Sequence, residues 1–406
     1  MKKLLLSYML GLTSLVFAQT SNYNTRTLAL FNEENWDSLI EVCEKAIEED
    51  QSSYDIEYRL AVAYYNQHSY FESAVHFENI KKTYNIHNEY IQEYLYYSYL
   101  FSGRESDALL ISKKFPFHLK QKIEVQSFEF IDYLNAEAGI KISSRREIDI
   151  ENMPYFNLGL GQKLGVHLNL NHAYTSLSQN YIDFDYKQKE YYLNANIHVA
   201  KGFTLIPAFH YINIAENTES MTRRRQSNMM DIRASNEKIN LFHFAFKKQW
   251  SRFFIMPNIT YSSASLVVEN IDEETRNNTQ YGLDMGYTIK GLKDKLWLGF
   301  GANTLSDDNS GNEFIWNAKA HYQINPKTFL YVKYLNANTS NFSEDNAMYY
   351  YNSVSVLTDK ISATFSYHLT PEFSWFINYQ YENDEDIENG FLFTYNTFIT
   401  GMKYDF

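Results

Sequence analysis

Beyond residue 132, hydrophobic and polar residues alternate with a period of two. Phe373, Trp375, Ile377, Tyr379 and Tyr381 interleave with Ser374, Phe376, Asn378, Gln380 and Glu382, which gives a strand one aromatic face and one mostly polar face. The last residues behave the same way: Phe398, Thr400, Met402, Tyr404 and Phe406 share one face, and Gly401, Lys403 and Asp405 the other. Comparable segments of roughly ten residues begin near Tyr133, Met153, Gly165, Glu190, Phe203, Lys238, Phe253, Gln280, Lys295, Glu313, Thr328, Tyr350, Phe373 and Phe391. Short turns join alternate pairs at Lys201-Gly202, Trp250-Ser251-Arg252, Asn325-Pro326-Lys327 and Thr370-Pro371-Glu372. Longer polar segments, such as Glu216 to Asn236, Glu269 to Thr279 and Asn383 to Asn389, separate the others.

Two-faced strands with short turns at one end and long loops at the other predict an antiparallel transmembrane β-barrel over 133–406. A soluble β-sandwich leaves that asymmetry unexplained. The count is about 14 strands, with twelve and sixteen left open. An even number brings the barrel's first and last strands to the same end. Ala347 to Thr370 is too long for one ordinary strand and is read as a long strand emerging from a loop.

From Thr25 to Phe115 the apolar spacing is helical instead. Trp36 and Tyr70, Leu39 and Ser73, Cys43 and Phe77, and Ala46 and Ile80 each lie 34 residues apart. A third copy, with one inserted residue, uses Leu95, Tyr99, Gly103 and Ala108. The period and the positions Leu60-Ala61, Tyr64, Tyr70 and Phe77 resemble the tetratricopeptide repeat, although Ala61 replaces its usual glycine and Gln51 its terminal proline. A plain bundle of helical hairpins is the alternative. The resemblance implies a short solenoid over 19–115, whose concave surface would hold a protein or polymer. Pro116 opens a connector, 116–132. The expected fold is therefore α + β: helical repeats followed by a barrel.

Composition fits that division. Lys2 and Lys3, the apolar run Leu4 to Phe17 and a small-residue site ending at Ala18 predict a secretory signal peptide over 1–18, too short to span a bilayer. Mean hydropathy is −0.44, against a chain of hydrophobic helices, yet 17% of residues are aromatic, as the interfacial girdles of barrels require. A net charge of −13 and the lack of a basic stripe argue against nucleic acid. Glu33, Glu34, Asp37, Glu48, Glu49 and Asp50 read as a solvated helical face. Cys43, the one cysteine, has no internal disulfide partner and reads as a small buried helix residue.

No catalytic constellation emerges, and neither enzymatic activity nor a cofactor or metal is expected. His167, His172, His198, His210, His243, His321 and His368 are scattered singly over strands, without metal-ligand spacing. Gly159-Leu160-Gly161 and Gly299-Phe300-Gly301 fall in strands, where glycine relieves crowding. Arg223, Arg224, Arg225 and Arg233 sit in the longest expected loop, where guanidinium groups could contact lipopolysaccharide phosphates or an acidic solute.

Gly401, Tyr404 and Phe406 resemble the C-terminal signal by which Gram-negative outer-membrane barrels are recognised by the insertion machinery. The whole layout is similar to that of surface lipoprotein assembly modulators and of exopolysaccharide-export porins. Those resemblances imply an outer-membrane location, contact with its lipid, periplasmic repeats, and export or surface assembly of a protein or polymer client. A passive porin with a structural docking domain is the other expectation.

Overall fold

The computed structural model describes residues 23–406 apart from 86–87, 124–129, 145–152, 165–166, 181–184, 217–234, 269–273, 290–291, 293, 308–310, 353–354 and 387–389. Two compact units divide the chain, one helical and one a barrel. The proposed signal peptide and the loop arginines Arg223, Arg224, Arg225 and Arg233 lie outside the described residues.

The helical unit contains α1 (residues 23–32), α2 (Trp36–Glu48), α3 (Tyr54–Asn66), α4 (Tyr70–Thr83), α5 (Glu89–Phe101), α6 (Glu105–Ser112) and α7 (Phe117–Lys122). From α2 to α6 each helix packs on the next in sequence. Side-chain caps set three of the starts: Asn35, Ser53 and Asn88 accept from the backbone N–H groups of Ser38, Ile56 and Ile91. Left-handed residues follow several ends, at Glu34, Asp50, His68 and Gly103, where the chain must leave the helix.

The apolar positions at helical spacing form the core. Leu39, Cys43, Ala46, Leu60 and Tyr64 pack together with Trp36 at their edge, and Ala61, Phe77, Leu95, Tyr99 and Ala108 belong to the next cluster. Ser73 is buried with its hydroxyl 3.0 Å from that of Ser98. The six acidic residues named above are exposed. Burial pushes the Cys43 thiol up to about 12. The stretch read as a connector is partly core: Pro116 precedes α7, and Leu119 and Ile123 are buried with Tyr96 and Phe115.

The second unit is a closed antiparallel barrel of 14 strands. They are β1 (Ile131–Ser143), β2 (Met153–Lys163), β3 (Leu168–Asn180), β4 (Asp185–Ala200), β5 (Phe203–Glu216), β6 (Ser235–Trp250), β7 (Phe253–Val268), β8 (Glu274–Thr288), β9 (Leu296–Asp307), β10 (Gly311–Asn325), β11 (Thr328–Thr339), β14 (Ser355–His368), β15 (Phe373–Asp386) and β16 (Leu392–Asp405). A separate two-stranded hairpin, β12 (Phe342–Glu344) and β13 (Tyr349–Tyr351), interrupts the series. It corrects the reading of Ala347 to Thr370 as one strand. Asn338, Ser340 and Asn341 favour turns and lie where β11 ends, and Asp345 and Asn346 lie in the turn between β12 and β13.

β16 closes the barrel on β1 in the register Tyr133↔Asp405 through Ser143↔Tyr395. The Phe406 N–H donates to the Asp132 carbonyl at 3.0 Å, so the chain enters and leaves the barrel at the short-turn end. Along each strand the alternation holds. Phe242, Phe244, Tyr281, Phe314, Ile377, Phe398 and Met402 are exposed on the outer face, while neighbours such as Gln280, Asn317 and Asn378 are buried on the inner one. An apolar outer surface of this extent is unlike that of a soluble monomer and is what lipid covers in a membrane barrel.

Candidate functional site: an occluded lumen

The inner face of the barrel is not uniformly polar. Ile212, Ile239 and Leu241 point inward and are fully shielded, as are Leu305, Ile315, Leu335 and Leu357. Fourteen strands enclose more space than wall side chains can fill, so something inside must cover them. The β12–β13 hairpin does. Phe342, 0% exposed, inserts among Leu305, Ile315, Leu335, Ala337 and Leu357. Ala347 and Tyr350 lie against Ile212, Ile239 and Leu241. Phe342 also stacks on Tyr351, with centroids 4.5 Å apart and planes 11° from parallel.

Polar groups of the wall grip the hairpin's backbone. Gln280 donates from Nε2 to the Ser343 carbonyl and accepts from the Ser343 N–H, both at 3.0 Å, as a paired strand would. Ser343 donates from Oγ to Thr260 Oγ1 at 3.2 Å, and Tyr192 donates from its hydroxyl to the Asn346 carbonyl at 3.1 Å. His210 Nδ1 lies 2.9 Å from the Ala347 carbonyl and its Nε2 3.0 Å from Glu190. The tip between the two short strands is left-handed at three consecutive residues, Asp345, Asn346 and Ala347. Such a conformation costs about 1–2 kcal/mol at a non-glycine residue and persists only where its surroundings hold it. Here the wall contacts supply that restraint.

Charge completes the latch. Lys333 pairs with Glu344 at 2.5 Å and with Asp345 at 2.8 Å. Lys319 reaches Asp345 at 3.2 Å and Asp284 at 3.5 Å. Further along the wall, Glu382 lies between Lys141 and Lys360, and Lys360 also contacts the Tyr351 hydroxyl. Each charge has an opposite partner, which is the condition for keeping it buried. The hairpin is thus held by packing, backbone hydrogen bonds and ion pairs together.

The hairpin tip divides the lumen. A cavity of about 740 Å³ lies at the short-turn end, and one of about 120 Å³ is enclosed between the hairpin and β6–β11, with Asp345 and Asn346 lining both. Tyr133, Asn135, Asn157, Asn171, Asn194 and Phe376 are among the residues lining the larger one. Glycines make room for three of those side chains against the wall. A Cβ on Gly159 would meet Asn135 Oδ1 at 1.8 Å, one on Gly161 would meet the Tyr133 ring at 2.3 Å, and one on Gly401 would meet the Phe376 ring at 2.5 Å.

Residues singled out in the sequence fall in three places. The repeat positions are in the helical unit: Leu60, Ala61, Tyr64, Phe77 and Ala108 are buried, Trp36 and Tyr70 partly so, Ala46 is fully buried, and Gly103 takes a left-handed φ of 73°. Tyr404 is on the outer face of β16 and Phe406 follows its end, their rings edge to face at 5.0 Å, whereas Gly401 faces the lumen. Gly301 also faces inward, close to Asn317 and Asp284. His210 and His243 are in the lumen beside the hairpin and His172, His321 and His368 line the larger cavity, but among the described residues no cluster of His, Cys, Asp and Glu could hold a metal. The hairpin and its lysines were not singled out in the sequence. One signal was present: β6 reads Ile239-Asn240-Leu241-Phe242-His243-Phe244-Ala245-Phe246, apolar on both faces where a water-filled barrel needs only one.

No family model and no curated relative matches the sequence. Among solved structures, CymD, a monoaromatic hydrocarbon channel, is 9% identical with a TM-score of 0.44, over 71% of this chain and 92% of its own. The toluene transporter TodX of Pseudomonas putida is 7% identical with a TM-score of 0.42, over 68% and 89%. CdiB from Acinetobacter baumannii is 8% identical with a TM-score of 0.44, over 69% and 61%. At these TM-scores the likenesses carry no functional weight for this chain.

Proposed function

We propose that this chain is an outer-membrane channel for small hydrophilic solutes, gated by the β12–β13 hairpin. One observation carries the reading: a segment of the chain is folded inside a closed barrel whose outer surface is apolar and whose remaining lumen is lined by amides, hydroxyls and paired charges. Lipid suits the outside, and water suits the space the hairpin leaves. Because the chain enters β1 at the short-turn end, which is the periplasmic end in barrels of this type, the helical unit belongs in the periplasm. There it serves as a docking surface for a protein or polymer client. Tyr90 and Phe117 are exposed on it, and aromatic residues are enriched where proteins meet.

Planar-bilayer recording of the purified full chain tests the channel reading. The wild-type protein is expected to be closed most of the time, with rare openings, and a variant lacking residues 341–352 to conduct steadily. An inserted, folded deletion variant that never conducts would overturn the reading.

A further inference from the structure

We propose that the 740 Å³ cavity at the short-turn end of the lumen binds a neutral saccharide, with a sugar ring laid on Phe376 and its hydroxyls bonded to Asn135 and Ser374. The proposal deepens the channel reading, on which it rests, by naming a class of solute.

Register brings these groups together. Ser374 pairs with Lys403, and Lys403 with Asn135, so the three form one inward row across β15, β16 and β1. Phe376, Gly401 and Glu137 form the next row. Because Gly401 has no side chain, the Phe376 ring can occupy the space above it, where it lines the cavity. Tyr133 is held in the same way over Gly161 on the other side of the row. Phe376 on one side and Tyr133 on the other, the latter with the Lys403 ammonium 4.6 Å from its ring centroid, therefore flank the row of Ser374, Lys403 and Asn135.

The chemistry of that strip selects against charge. Lys403 is paired with Asp405 at 2.5 Å, and Asp345, at the cavity's inner limit, with Lys333 and Lys319. Besides these paired charges the lining holds His172, His321 and His368, and its other side chains are uncharged. An amide offers donors and an acceptor from one side chain, matching adjacent hydroxyls that do the same. Asn171 is oriented for this by its neighbours, accepting from the Tyr133 hydroxyl at 3.1 Å and donating to Asn194 at 2.7 Å. Asn157, 2% exposed, donates to Thr175 and leaves Oδ1 buried without a hydrogen-bond partner in the cavity wall, an uncompensated cost. A purely hydrocarbon ligand would leave these groups unsatisfied. A sugar has both an apolar C–H face for the rings and hydroxyls for the amides, and the volume falls within the range of small-molecule sites.

Isothermal titration of the refolded full chain in detergent tests this, using maltotriose, cellotriose, laminaritriose, tri-N-acetylchitotriose and trigalacturonate as probes. Saturable binding of at least one neutral trisaccharide is expected, weakened about tenfold or more by Phe376→Ala and by Asn135→Leu and retained by Phe376→Tyr. The unheated gel mobility of each variant confirms that its barrel is folded. Binding of trigalacturonate alone, no binding of any probe, or neutral binding untouched by both substitutions would overturn the proposal. Conductance of the variant lacking residues 341–352, recorded on the same preparation, separates the two readings. Conductance without sugar binding removes the saccharide site and keeps the channel, whereas binding without conductance does the reverse.

Discussion

Truncating Phe342 to alanine should release the hairpin without unfolding the barrel. Its ring is completely buried among five apolar wall residues and stacked on Tyr351, and every one of the wall contacts disappears when the hairpin leaves. Loss of a buried phenylalanine of this kind costs about 3–5 kcal/mol. The cost falls on docking rather than on barrel closure, because the strand-to-strand pairing of all 14 strands is independent of Phe342. At about 1.4 kcal/mol per factor of ten, the docked-to-undocked ratio should fall by about two to three and a half powers of ten. A gate that opens rarely in the wild type should therefore open for much of the recording in Phe342→Ala. The single-channel current should equal that of the variant lacking 341–352, since the same space is vacated. Phe342→Leu keeps most of the volume and should shift the ratio by only about tenfold, in line with roughly 1–1.5 kcal/mol for a volume-conserving exchange. The reasoning is refuted if Phe342→Ala inserts with normal gel mobility and shows the wild-type open probability while the deletion variant conducts.

Four further outcomes are expected. Asp345→Asn weakens the contacts to both Lys333 and Lys319; because the Asp345 side chain is about one-third exposed, screening keeps the loss below that of a fully buried pair, so it should raise open probability less than Phe342→Ala does, and its effect should be less than additive with that substitution because both act on one docked state. Ile377→Lys, on the outer face of β15, should destabilise the barrel in liposomes by about 2–4 kcal/mol, read by urea unfolding; an unchanged midpoint would argue against lipid at that face. The Cys43 thiol is raised from 9.0 to about 12, so it should resist maleimide below pH 9 until urea unfolds the helices. Its folded value lies above its unfolded one, so the stability linked to it is complete below about pH 9 and is lost as pH rises toward 12. In a Cys43→Ser background, Asp386→Cys should react with an impermeant maleimide on intact cells and Lys201→Cys only after permeabilisation; the opposite pattern would invert the topology.

Most of the barrel was legible because lipid and water enforce a period of two on every strand. Phe373 to Glu382 shows it without exception at the outer positions, and the starts expected at Met153, Phe203, Phe253, Thr328 and Phe373 coincide with those of β2, β5, β7, β11 and β15. The helices were legible for a related reason: Leu39, Cys43 and Ala46 must share one buried stripe, and their spacing says so. The hairpin was hidden because its stability is not local. Phe342-Ser343-Glu344 has no periodicity to read over so short a strand, and Gln280, its hydrogen-bond partner, is 63 residues away.

The wall, rather than the hairpin, held the evidence. Inward residues of a water-filled lumen have no reason to be Ile212, Ile239, Leu241, Leu305, Ile315 and Leu335, because each would expose apolar surface to water at about 25 cal/mol per Å². Two such patches, at the different arcs formed by β5–β6 and by β9–β11, require a cover that spans the lumen. A cover tied to one arc alone would leave the other wet. Residues 342–350 touch both arcs, with Phe342 at one and Ala347 and Tyr350 at the other, and the left-handed tip at Asp345–Ala347 provides the reversal needed to do so within a few residues. The docked hairpin is therefore the state for which the wall's composition is matched, and opening must expose both patches at once. That coupling predicts an all-or-none gate with two conductance levels and no stable intermediate; a ladder of long-lived sublevels in Phe342→Ala would show instead that the two arcs release the hairpin separately.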